Sequence, residues 1–174
     1  MMSLNIVFWM YVILFAIIGG MRGWAKEIMV SFSVVLAMAF MTLLHRYVPF
    51  IRELPVESSL LFWLRTIVLM VLVFFGYQTP NITRISAKMT REKLEHIILG
   101  IFIGALNGYL IAGTIWFYLA KANYPFTNIV SAPSGTVAEI ANNMLNYMPP
   151  NVLGEPGIYF AVVIAFIFVL VVFI

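Results

Sequence analysis

An all-α, polytopic integral membrane protein is the fold class this sequence predicts, and three observations predict it. Apolar side chains make up 63% of the 174 residues and charged ones only 10%, whereas a soluble domain carries about a quarter charged residues. The apolar residues come in runs of the length that crosses a bilayer as a helix, about 20 residues. Most of the charges fall between those runs. The pattern predicts about five transmembrane helices plus two short amphipathic surface helices.

The first span is predicted over about residues 4–19. Residues 1–20 contain no Lys or Arg, so the charged start of a cleavable signal is missing and the segment reads as a retained span. Gly19, Gly20, Met21, Arg22, Gly23, Trp24, Ala25, Lys26 and Glu27 follow, bringing the first charges of the chain together with three glycines. This stretch is expected to be a turn or tight helix junction at one membrane face. The second span, about 28–44, ends at His45, Arg46 and Pro49, and residues 46–58, with Pro49 and Pro55, read as a loop.

A third span is expected over about 59–77, with Arg65 two turns inside its start and able to snorkel to the near interface. Pro80 is well placed to open a basic, amphipathic, interfacial helix of about residues 80–93, carrying Arg84, Lys88, Arg91 and Lys93. The fourth span, about 97–119, holds Gly100, Gly104 and Gly108 at intervals of four residues, which line one helix face and admit a second backbone closely. Residues 121–156 form the longest polar region, an extracytoplasmic loop in which Thr136 and Glu139 make a capping-box pattern ahead of a short amphipathic helix. Residues 157–174 complete the pattern as a fifth span.

With alternating spans, Arg22, Lys26, Arg84, Lys88, Arg91 and Lys93 fall on one side and Arg46, Arg52, Arg65 and Lys121 on the other. The excess marks the first side as cytoplasmic, with the N-terminus outside and the C-terminus inside. The net charge of +3 therefore reads as topology and contact with anionic lipid headgroups, not as a nucleic-acid footprint.

Several chemistries are excluded or disfavoured. The chain has no cysteine, which rules out disulfides, thiolate metal sites and thiol catalysis. All seven carboxylates are glutamates, Glu27, Glu53, Glu57, Glu92, Glu95, Glu139 and Glu155, and all are expected at helix ends or in loops. No acid and base pair within a span, as a proton relay or secondary transporter would require. His45 and His96 are expected at opposite faces. Ligation of a pigment or haem by either is the weaker alternative to an interfacial hydrogen bond, so no cofactor, metal or catalytic residue is expected.

Arg22 carries two readings: a topological charge beside Lys26, or an ion pair with Glu27 inside a helix bundle. The glycines Gly19, Gly20, Gly23, Gly100, Gly104 and Gly108 are read as helix-packing positions, serving within the chain or against a neighbouring subunit.

Residues 15–27 and 99–108 also carry a resemblance. Arg22-Gly23-Trp24, followed three residues later by Glu27, resembles the N-terminal signature of the colicin V production protein (CvpA) family. Leu99-Gly100 followed by Gly104-Ala105-Leu106-Asn107-Gly108 resembles its second signature. The resemblance covers about residues 4–120, a CvpA-like four-span region. Asn107 stands where the family usually has Arg, His96 and Ile97 stand where an Asp-Arg pair is common, and the fifth span is atypical. The resemblance implies a bacterial inner-membrane protein linked to export or envelope physiology. The expected function is non-enzymatic, as an accessory or scaffold subunit that binds other membrane subunits, in a respiratory or photosynthetic assembly, and lipid. The alternative is a self-contained homo-oligomeric export or channel protein.

Overall fold

A computed structural model describes residues 4–78, 93–126, 130 and 132–173, and every regular element among them is helical. The long helices are α1 (Leu4–Arg22), α2 (Trp24–Tyr47), α4 (Ser59–Tyr77) and α5 (Lys93–Lys121). All four are long and apolar enough to cross a membrane. The shorter ones are α3 (Pro49–Arg52), α6 (Thr136–Asn146), α7 (Pro149–Val152) and α8 (Gly157–Phe173). The described part of α8 has 17 residues and is the fifth apolar helix of the pattern. The interfacial helix expected over 80–93, with Arg84, Lys88, Arg91 and the Lys93 side chain, lies outside the described residues.

Local chemistry accounts for the boundaries. The junction between α1 and α2 is tighter than a turn: Gly23 alone separates them, at φ 85°, a left-handed conformation that L side chains resist. Proline opens both α3 and α7, after Val48 and Met148 in extended conformation. Its fixed φ suits the first helical position, and its missing N–H is not required there. These two short helices replace parts of the expected loops. Ser58 caps α4, its hydroxyl accepting from the Leu60 amide at 3.2 Å. The capping box expected from Thr136 and Glu139 is displaced, because α6 begins at Thr136 itself with Gly135 as its cap and no side-chain cap bond. Among the described residues helix α5 is already helical at Lys93, four residues before the apolar run.

Consecutive long helices alternate in direction. Along α1 and α5, Gly19 lies against Gly100 and Gly104, Val12 against Gly108, and Phe8 against Gly113, which makes the pair antiparallel. Gly76 of α4 meets Val30 and Ser33 near the start of α2, again antiparallel. Phe32 of α2 meets Phe168 of α8, ring centroids 5.3 Å apart. Between them, α2 and α5 run parallel and form the centre of the bundle. Their inner residues Val30, Val34, Met38, Leu110 and Ile111 are buried with Leu69 and Val73 of α4 and Ile158 of α8. On the extracytoplasmic side of the predicted topology, Ala141, Met144 and Leu145 of α6 lie on Phe8 and Trp116, while Val137 and Ile140 are exposed.

Candidate functional site

Two features of the sequence converge at one end of the bundle: the glycine faces and the Arg22–Glu27 segment. The glycines act first, because they set how closely the helices approach. A Cβ at Gly19 would fall on the Gly100 carbonyl oxygen and 2.7 Å from Gly104 Cα. One at Gly104 would meet the Phe15 carbonyl and stand 2.8 Å from Gly19 Cα. At Gly108 the nearest atom would be Val12 Cα at 2.8 Å. The two helices thus touch backbone to backbone over about two turns. Gly20 differs, facing the flexible Ile101 side chain, Cγ1 at 2.8 Å. The faces of Gly19, Gly100, Gly104 and Gly108 are occupied by each other within the chain, which removes them as a surface for binding neighbours.

The same close approach brings the start of α2 against the middle of α5. Glu27, in the first turn of α2, is fully buried, as is Asn107 in α5. Glu27 thus stands at the helix end expected for it and, as in the second of the two readings of Arg22, its carboxylate is inside the bundle. Both of its oxygens are engaged. Arg22 Nη1 donates to Oε1 at 2.7 Å and Asn107 Nδ2 to Oε2 at 2.7 Å. Asn107 Nδ2 also donates to the Glu27 carbonyl at 2.9 Å, and the Ser31 hydroxyl donates to Asn107 Oδ1 at 2.6 Å. The other guanidinium nitrogen, Arg22 Nη2, donates to the carbonyl of Tyr77 at 3.0 Å. That carbonyl belongs to the last residue of α4, one of the groups a helix end leaves without an internal partner. The Tyr77 ring lies under the guanidinium, its centroid 4.3 Å from Cζ.

One network therefore joins all four long helices: the end of α1 through Arg22, the start of α2 through Glu27 and Ser31, the end of α4 through Tyr77, and the middle of α5 through Asn107. Buried charge is costly unless paired and fully hydrogen-bonded, and here each charged group has its partners. The sequence marks Asn107 only as the residue standing where the resembled family usually has Arg, and gives it no partner. The requirement that buried polar groups be hydrogen-bonded is the signal that links it to Glu27, 80 residues away.

The remaining candidates fall elsewhere. Lys26 is half-buried in the first turn of α2. His96 covers the α1–α2 junction: a Cβ at Gly23 would run into its imidazole, 2.8 Å from Cδ2. His45 stands near the opposite end of α2, about 33 Å along the helix from Gly23. Among the described residues, no group of three or more His, Cys, Asp or Glu is placed to hold a metal.

Gly23→Ala is expected to destabilise the protein by about 1–3 kcal/mol, from the left-handed backbone and the contact with His96. Adding His96→Ala should return part of the loss by removing that contact. Thermal unfolding in mild detergent, followed by circular dichroism, measures both, and no recovery in the double variant would assign the whole cost to the backbone.

No protein-family model, curated protein or solved structure matches this chain.

Proposed function

We propose that this multi-pass helical membrane protein is a non-enzymatic accessory or scaffold subunit of a larger membrane protein complex in a bacterial inner membrane. The observation that carries the reading is the closed network of Arg22, Glu27, Asn107 and Tyr77. Charge placed inside a membrane bundle ordinarily serves a pathway or a relay. Here both carboxylate oxygens and both donating guanidinium nitrogens are engaged on the chain's own groups, which suits a fixed strut between helices. The resemblance to the CvpA family belongs to the same proposal, and Asn107, its main departure, is the residue that completes the bonding of Glu27.

Partners and lipid must then meet the outward faces, since the glycine faces are closed. On α1 these faces carry Ile6, Trp9, Met10, Ile13, Leu14 and Ile17, all exposed, at spacings of three and four that form one stripe. Purification of the full chain in mild detergent, followed by mass analysis of co-purifying chains, tests the reading. Other membrane subunits in fixed ratio are expected, and a lone monomer or homo-oligomer would overturn it. The breadth of the α1 stripe favours one second reading, a self-contained homo-oligomeric export or channel protein, which the homo-oligomer outcome would support.

A further inference from the structure

At the end of the bundle far from Arg22, a cavity of about 710 Å³ opens between α2, α4, α5 and the segment before α8. It is within the size range of sites that hold small ligands, about 300–1,000 Å³. Its lining is of two kinds. Arg46 from the last turn of α2, Arg52 from α3 and Arg65 from α4 face it, together with His45. Met38 and Ile158, both buried in the apolar core, line it as well.

The charge balance of this cavity is not closed as it is at the other end. Glu155 is the one carboxylate in the lining, against three guanidinium groups. Its Oε1 accepts from the Tyr159 hydroxyl at 2.9 Å. Among the described residues none of the three arginines has a carboxylate within ion-pair distance. Arg65 stacks over the Tyr118 ring, 5.4 Å from Cζ to centroid. The Nδ1 atom of His45 is buried without a hydrogen-bond partner. Arg46 is drawn to the Glu155–Tyr159 pair, which leaves Arg52 and Arg65 as two guanidinium groups facing one space without a carboxylate at ion-pair distance, and planar N–H forks suit phosphate oxygens.

We propose that this cavity binds a phosphate-bearing anion, and that an anionic phospholipid fits it best, its phosphate held by Arg52 and Arg65 and its apolar part lying along Met38 and Ile158. Arg46 and Arg52 lie in the last turns of their helices and Arg65 two turns inside α4, positions from which basic side chains reach the headgroup level. The site is independent of whether the chain acts as a subunit or as a homo-oligomer.

The test titrates the full-length, detergent-purified protein with phosphatidylglycerol, with phosphatidylcholine of the same acyl chains, and with inorganic phosphate, and reads bound species by native mass spectrometry. Phosphatidylglycerol is expected to bind at least tenfold more tightly than phosphatidylcholine. Arg52→Gln, at an exposed position, is expected to reduce that preference about tenfold with the unfolding temperature unchanged. Arg65→Gln should do the same. Displacement of the lipid by millimolar inorganic phosphate would identify free phosphate as a second source of the anion and supports the site. Equal binding of the two lipids without phosphate binding overturns it, as does a wild-type preference kept by folded Arg52→Gln.

Discussion

Gly104→Leu is expected to prevent formation of the native bundle, lowering stability by about 3 kcal/mol or more. Overpacking a core usually costs about 1–3 kcal/mol because neighbouring side chains can rotate aside. At Gly104 the neighbours are backbone: the Phe15 carbonyl, and Gly19 Cα at 2.8 Å from the position a Cβ would take. Backbone cannot rotate away, so α1 and α5 must separate along their length. That separation removes close packing, which is the main attraction between helices in lipid, and it withdraws Asn107 from Glu27. Even Gly104→Ala should be clearly destabilising, since the first added carbon already meets these atoms. Gly154→Ala serves as the control, because its Cβ would find the Asn151 and Pro150 carbonyls at an ordinary 3.5 and 3.7 Å. Thermal unfolding and size-exclusion profiles in detergent measure the effect. A Gly104→Leu protein with the melting temperature of Gly154→Ala would show that α1 and α5 do not depend on backbone contact.

Much of this architecture is legible in the chain, for definable reasons. Long apolar runs announce spans because a bilayer demands uninterrupted apolar helix, and the four-residue spacing of Gly100, Gly104 and Gly108 announces a face that another backbone can approach. What that face meets is not written locally. Gly19 lies some 80 residues earlier in the chain, and only the folded arrangement shows that the two glycine surfaces close on each other. Glu27 is legible in part: its pairing with Arg22 inside the bundle is one of the two readings the local sequence allows, but its complete burial is not. It follows Arg22 and Lys26 at the start of a span, where charges ordinarily flank a membrane. Its burial depends on Asn107 and on the end of α4, both remote in sequence. Arg65 shows the same limit: position within the span shows that it can snorkel, but not that its guanidinium stacks over the ring of Tyr118 on α5. The short helices α3 and α7 were hidden because proline reads equally as a loop signal and as the first residue of a helix.

The largest electrostatic effect is expected at the Arg22–Glu27 pair. Glu27→Leu leaves a largely buried guanidinium whose Nη1 has lost its acceptor, and leaves the Asn107 amide with one fewer partner. Breaking a buried pair by removing one member costs about 3–5 kcal/mol. Arg22→Met is expected to cost a similar amount, because Glu27 is fully buried and the Tyr77 carbonyl also loses its donor. Restoring charge neutrality without the pair should undo much of this. Arg22→Met combined with Glu27→Leu replaces two desolvated charges by apolar side chains, an exchange that is often close to neutral. The remaining cost is the loosened hydrogen bonding of Asn107 and Tyr77, about 1–3 kcal/mol. The double variant should therefore be more stable than either single one, and unfolding of all four proteins in the same detergent gives the coupling. Single costs that add to within about 0.5 kcal/mol would mean that the two charges act independently and that the network does not hold the helices. If Arg22 and Glu27 act as a strut, the double variant also retains any co-purifying subunits, since neither charge reaches outward. A folded double variant stripped of those subunits would move Arg22 from holding the bundle together to recognising a neighbour.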